Sequence, residues 1–185
     1  MYVWIAVLFN ELFESKIREE LKPIGTRNNL DFVTFSLPQH ISLKISFQCD
    51  ECDFLNIVDD VKRCFEQIKP FPIELGIVEQ LKGWQNIIWI TVKDNDILKR
   101  LHEILNQTFL ENYGIELNPY DGAHFRFHST LFIDDKNILT KNYDDAFEEL
   151  QNLTFNQKQM INTACIGISK TGKMGEFEVF TRIKL

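Results

Sequence analysis

Cysteine is scarce and badly placed for structural use. The four residues Cys49, Cys52, Cys64 and Cys165 are too few and too uneven for the disulfide framework of a small secreted domain. Cys49 and Cys52 have Cys-x-x-Cys spacing, but zinc needs a second pair, and a redox motif belongs at the start of a helix in a thioredoxin-like unit. Neither context is visible. Long apolar runs are also missing: the stretch from Tyr2 to Phe9 is too short to cross a bilayer and no basic residues precede it. We therefore expect a cytoplasmic protein with reduced thiols and no membrane association. Positive charge is in deficit, with 20 Lys and Arg against 27 Asp and Glu, a net charge of -7. That argues against a broad polyanion-binding surface while leaving room for a local basic cleft that takes small or terminal phosphates. No repeated glycine fingerprint and no low-complexity linker interrupts the chain. The expectation is one bilobed domain over residues 1–185, with no obligatory protein partner and a monomeric state.

What the chain does have is alternating strand-like and helix-like segments. Tyr2 to Phe9 reads as a buried strand, and Asn10 can cap a helix whose apolar positions are Leu12, Phe13, Ile17 and Leu21, ended by Pro23 and Gly25. Leu30 to Leu37 reads as a second strand, and His40 to Phe47 as a third. Phe54, Ile57, Val58, Val61, Cys64, Phe65 and Ile68 fall at helical spacings of three and four. Phe71 to Leu81 and Gln85 to Val92 read as strands joined by a turn at Lys82-Gly83. A helix follows from about Asp96 to Leu110, with His102 as a surface or boundary residue. After the His128 strand come a short helix around Tyr143 to Leu150, a strand from Met160 to Lys170 and a final strand from Glu176 to Lys184, the last two forming a hairpin. This order predicts an α+β fold of mainly antiparallel sheets, arranged as two similar lobes across a central cleft.

Two short segments stand out. From His40 to Phe47 polar and apolar residues alternate strictly, which places Ile41, Leu43, Ile45 and Phe47 in a core and His40, Ser42, Lys44 and Ser46 on the opposite face. The segment His128-Ser129-Thr130-Leu131 repeats the tetrad His40-Ile41-Ser42-Leu43, so each reads His-x-Ser/Thr-Leu. With this composition, two of four histidines meeting that pattern by chance is roughly a 1% event. Strand histidines satisfied by local hydrogen bonds are the bland explanation, and it has to absorb this coincidence.

These twin motifs, 88 positions apart (128 − 40), resemble those of the 2H phosphoesterase superfamily, in its 2'-5' RNA ligase-like or cyclic phosphodiesterase-like branch. The resemblance extends over essentially the whole chain, from the opening strand and helix to the closing strand. It implies a phosphodiesterase that needs neither metal nor cofactor, acting on a nucleotide or RNA end through a 2' oxygen, as in a 2',3'-cyclic phosphate or a 2'-5' linkage. The alternative is a non-catalytic RNA-end or nucleotide-binding module using the same cleft.

The chemistry gives a reason for the residue types. Breaking a phosphodiester requires a base for the attacking hydroxyl and an acid for the departing oxygen. Two histidines can hold these opposite protonation states near neutral pH. Ser42 and Thr130, two residues along the same strand faces, can donate to the non-bridging phosphate oxygens. The catalytic set is therefore His40, Ser42, His128 and Thr130. The residues themselves leave open which histidine is acid and which base; the resemblance leans to His128 as base and His40 as acid, exchanged in the reverse reaction.

In two places the chain departs from the family pattern. Ser129 replaces an apolar residue and is expected to fill space in the core, and the basic residue that often follows the second motif is absent. Lys44 and Arg126 are the candidate phosphate-binding cations, each weighed against a structural ion pair. Strand alternation puts His124 and Arg126 on the face of His128, but His124 and His128 lie too far apart on a strand to share one metal ion. Tyr120 and Trp84, in loops, are the candidates for stacking a nucleobase, whereas Trp4 and Trp89 belong to the core.

Overall fold

The first strand, β1 (Tyr2–Leu8), is apolar on both faces, and the fold is built outward from it. Val3, Ile5 and Val7 join the main apolar cluster, while Trp4, Ala6 and Leu8 form a second cluster with Cys165 on the other face. The computed structural model describes residues 1–30, 33–82, 86–122, 125–133, 140–153, 155 and 157–185. Gly83 of the expected turn, Trp84 and His124 lie outside the described residues.

Helix α1 (Glu11–Arg27) starts where Asn10 accepts a hydrogen bond from the Phe13 amide, and it buries Phe13, Ile17 and Leu21. Pro23 does not end it as expected. The proline removes one helical hydrogen bond, but the helix runs on to Arg27 and buries Ile24 and Gly25. Leu12, expected inward, is exposed. Among the described residues of the stretch Leu30 to Leu37 there is no strand where one is expected, and Val33–Ser36 form a 3-10 turn. There the Arg18 guanidinium donates to the carbonyls of Phe35 and Leu37, at 3.0 and 2.7 Å.

The chain continues through β2 (His40–Gln48), α2 (Phe54–Phe65), β3 (Phe71–Leu81), β4 (Ile87–Val92) and α3 (Asp96–Tyr113). Gly114, at φ 63°, closes α3 in the left-handed conformation that suits glycine. Then follow β5 (His128–Ile133), α4 (Thr140–Gln151), β6 (Lys158–Ile161), β7 (Thr163–Ser169) and β8 (Glu178–Lys184). The single strand expected from Met160 to Lys170 is two strands, β6 and β7, and they join different sheets. One four-stranded antiparallel sheet has the order β2-β1-β7-β8 and the other β5-β4-β3-β6. This is the expected α+β, two-lobed architecture, and the final hairpin is the β7–β8 pair.

A repeat that the sequence conceals emerges from the topology. In each half a tryptophan-bearing strand is followed by a helix and then by the histidine strand that pairs with it: β1-α1-β2 and β4-α3-β5. The tryptophan-to-histidine separations are 36 (40 − 4) and 39 (128 − 89) residues. One apolar cluster draws residues from both sheets, Val3, Ile5 and Val7 from the first and Ile88, Ile90 and Leu131 from the second. The two motif strands thus lie over a shared core, and none of the described helices is long and apolar enough to cross a membrane.

Candidate active site

Register determines which side chains share a face. In the first sheet Leu8 pairs with His40 and Ala6 with Ser42, so both motif residues project on the Trp4 side of β1. In the second, Thr91 pairs with His128 and Trp89 with Thr130, giving the same arrangement. Both histidine rings are half-buried.

The two rings are held alike. His40 Nδ1 lies 2.7 Å from the carbonyl oxygen of Pro38, and His128 Nδ1 lies 2.7 Å from that of Arg126. A carbonyl only accepts, so each Nδ1 carries the hydrogen and each neutral ring presents an Nε2 lone pair. Each ring also packs on a tryptophan, His40 edge-on to Trp4 at 4.4 Å between centroids and His128 against Trp89 at 4.8 Å. Trp4 and Trp89 are buried, as their strands predict. Their contact with the histidines is not part of that expectation, although the similar tryptophan-to-histidine spacings carry the signal.

The tryptophans also differ between the halves. Trp4 Nε1 donates to Ser42 Oγ at 3.0 Å, which leaves the serine's own proton to be donated elsewhere. Its ring lies over Gly167, where an added Cβ would come within 2.3 Å of it, so only glycine leaves room. Trp89 Nε1 instead donates to Glu79 at 3.2 Å. Glu79 in turn receives both of its short contacts, 2.9 and 2.7 Å, from Arg126 Nη2.

Burial is the largest influence on both rings. It pushes His40 down to about 4, against the hydrogen bond to Pro38, with the nearby charge of His128 adding to the depression. The same desolvation lowers His128, opposed by its hydrogen bond to Arg126 and assisted by the Arg126 charge, while Glu79 pulls the other way. Neutral imidazole is therefore the favoured form of each near pH 7. Between about pH 6.5 and 4 the unfolded chain binds a proton at position 40 that the folded protein resists. Stability should fall as pH falls through that window, by roughly 2–3 kcal/mol from this residue. Urea unfolding at pH 7 and pH 4.5 should show a smaller loss for His40→Gln than for the parent, and equal losses would contradict the burial of a neutral ring.

Lys44 corrects the expected alternation. Ala6 pairs with Ser42 and Ile5 with Lys44, so one step along β1 matches two along β2. That bulge turns Lys44 onto the Ile5 side. Its side chain is 1% exposed and its Nζ lies 2.7 Å from Asp121 Oδ2, with the carboxylate itself fully buried. The ammonium is committed to Asp121 rather than presented to the cleft. Asp121 Oδ1 also accepts from the Ile45 amide at 3.2 Å, occupying a donor that the bulge would otherwise leave free. His102 is likewise no surface residue. It is buried, its ring nitrogens sit 2.7 and 2.9 Å from the carbonyl oxygens of Leu43 and Asp121, and Phe125 stacks on it at 4.3 Å.

Of the other candidates, Arg126 is 64% exposed while paired to Glu79, and Tyr120 is 67% exposed in the turn just before Asp121. Ser129 pairs with Ile90 on the core side, as expected, yet its hydroxyl is used: it donates to Gln39 Oε1 at 2.8 Å. Among the described residues no three His, Cys, Asp or Glu side chains converge as a metal site requires.

The model of a family described as the 2'-5' RNA ligase superfamily matches residues 14–172. A Geobacillus kaustophilus protein with a provisional phosphoesterase designation is 34% identical over 70 residues, which is 38% of this chain and 40% of that protein. Six such curated relatives are matched over 40–57% of their own length, about half. Among solved structures, TT0787 of Thermus thermophilus superposes with a TM-score of 0.71 at 16% identity, covering all of this chain and 98% of that one. Escherichia coli LigT complexed with 3'-AMP superposes with a TM-score of 0.62 at 13% identity, over 99% of this chain and 97% of its own. At these identities the structural likeness is one of fold.

Proposed function

Because this chain belongs to the 2'-5' RNA ligase superfamily of 2H phosphoesterases, we propose that it is a metal-independent phosphodiesterase acting on a nucleotide or RNA phosphodiester that involves a 2' oxygen. The substrate is a 2',3'-cyclic phosphate or a 2'-5' linkage. The observation that carries this reading is the matched pair of half-sites. In each, a histidine is tied through Nδ1 to the carbonyl two residues before it, with a hydroxyl residue two positions after it on the same face.

The phosphate sits between the two Nε2 atoms. One Nε2 takes the proton of the attacking water or hydroxyl, and the other, protonated, delivers one to the departing oxygen. Burial holds His40 at about 4 in the free protein, so a ring acting as acid takes up its proton as the anionic phosphate arrives and offsets the desolvation. Ser42, whose oxygen already accepts from Trp4, donates its proton to a non-bridging oxygen, and Thr130 does the same from the other side. Arg126, held by Glu79 beside His128, is the cation assigned to the phosphate, and Tyr120 the exposed ring assigned to a base. That solved LigT structure contains 3'-AMP, a nucleotide, which supports the nucleotide part of this reading.

The test is a panel of 2',3'-cyclic nucleotides and of 2'-5' and 3'-5' dinucleotides, assayed with EDTA present. Turnover of a cyclic phosphate or a 2'-5' dinucleotide, undiminished by the chelator, is the expected result. Nucleotide binding without turnover of any member would point instead to a binding module.

A further inference from the structure

β2 and β5 belong to different sheets, so no backbone ladder sets the distance between them. A side chain bridges them directly below the site. Gln39, the residue before His40, is 2% exposed. Its Oε1 accepts from the Ser129 hydroxyl at 2.8 Å, and its Nε2 makes a longer contact of 3.4 Å with the Thr130 carbonyl. Its backbone is anchored as well, since its carbonyl accepts from the Phe9 amide at 3.1 Å. Ser129 and Thr130 are the two residues after His128. One buried amide therefore joins the residue beside each histidine, from the core side of both strands. Thr34 adds a second crossing, donating to the Leu131 carbonyl at 3.0 Å.

We propose that Gln39 and Ser129 are positioning residues that set the gap between the two histidine rings, and so the width of the phosphate site. This rests on the reading of His40 and His128 as the reacting pair. Neither Gln39 nor Ser129 reaches substrate. The amide and hydroxyl fix where β5 lies against β2, and the rings follow because each is one residue away on its strand. A buried polar pair is well suited to this, because a hydrogen bond has a preferred length and direction that apolar contact lacks. A shift of about 1 Å at reacting groups can cost on the order of a hundredfold in rate.

The test compares the parent with Ser129→Ala, Ser129→Thr and the double variant Gln39→Leu/Ser129→Ala, which removes both polar partners and leaves neither unpaired. Inorganic phosphate is titrated into protein carrying 15N-labelled histidine, and the ring signals of His40 and His128 are followed. In the parent both rings should shift with one dissociation constant. Ser129→Thr keeps the hydroxyl and should behave likewise. In the double variant phosphate affinity should fall about tenfold or more and the two rings should cease to respond together, while circular dichroism shows the fold retained. Turnover of a cyclic nucleotide is measured in parallel, with His40→Ala as control. Unchanged phosphate binding and joint ring shifts in the double variant would overturn the clamp whether or not turnover is seen. Failure of phosphate to shift both rings of the parent would overturn it too. Turnover unaffected by His40→Ala would instead remove the reading on which it rests.

Discussion

His128→Ala should reduce turnover of a 2',3'-cyclic nucleotide by a factor of about a hundred to ten thousand, the usual worth of one positioned proton-transfer group. The ring is half-buried and its neighbours are Trp89 and a backbone carbonyl, so its loss opens space at the site without breaking the core, and the fold should persist. His40→Ala should cost a similar factor. Because both rings serve the same transition state, the double variant should be little worse than either single one. Single-turnover measurements with circular dichroism as the folding check decide the matter. Undiminished activity in both single variants would remove the rings from the chemistry.

The second large effect lies away from the chemistry. Asp121→Ala leaves the Lys44 ammonium buried with its carboxylate gone and the Ile45 amide without its acceptor. Removing one partner of a buried pair typically costs about 3–5 kcal/mol, enough to consume much of the stability of a domain. Denaturant unfolding should show the midpoint fall accordingly. The combination Lys44→Met with Asp121→Asn should recover most of the loss, because the amide oxygen can still accept from Ile45 and no charge is left unpaired. This pair of variants also separates two roles for Lys44. If the double variant is stable and keeps its KM, the lysine is structural. A KM raised tenfold or more in a well-folded double variant would return Lys44 to the phosphate site.

Lys44 also illustrates how far a strand can be read from its residues. Strict alternation from His40 to Phe47 identifies the strand and places His40 and Ser42 on one face, as the pairing with Leu8 and Ala6 has it. It cannot register the extra residue of a bulge, which depends on the partner strand and leaves the composition untouched. Lys44 is consequently assigned to the wrong face. The same limit applies at Pro23, where the burial of Ile24 outweighs a local helix breaker. It applies also at Val33–Ser36, where an arginine from α1 donates to the carbonyls of Phe35 and Leu37. The division of β6 from β7 depends on which sheet each half joins, and nothing in the pattern from Met160 to Lys170 announces that choice. The histidine motifs are legible because the catalysis proposed for them would need particular residue types two apart. Gln39 is not, since a polar residue beside a motif acquires meaning only when the facing strand is known.

The crossing between β6 and β7 bears on how the protein is made. β6 ends at Ile161 in one sheet and β7 begins at Thr163 in the other, so a single residue separates the two. β7 then lies between β1 and β8, pairing Tyr2 with Ser169, partners 167 positions apart (169 − 2). During synthesis β1 leaves the ribosome long before the strand that covers one of its edges exists. Until then the half carrying His40 has β2 beside β1 and an open, strongly apolar edge opposite. Contacts this distant in sequence slow folding, so the first sheet is completed only after β7 has emerged, and until then the uncovered edge of β1 is open to pairing with another chain.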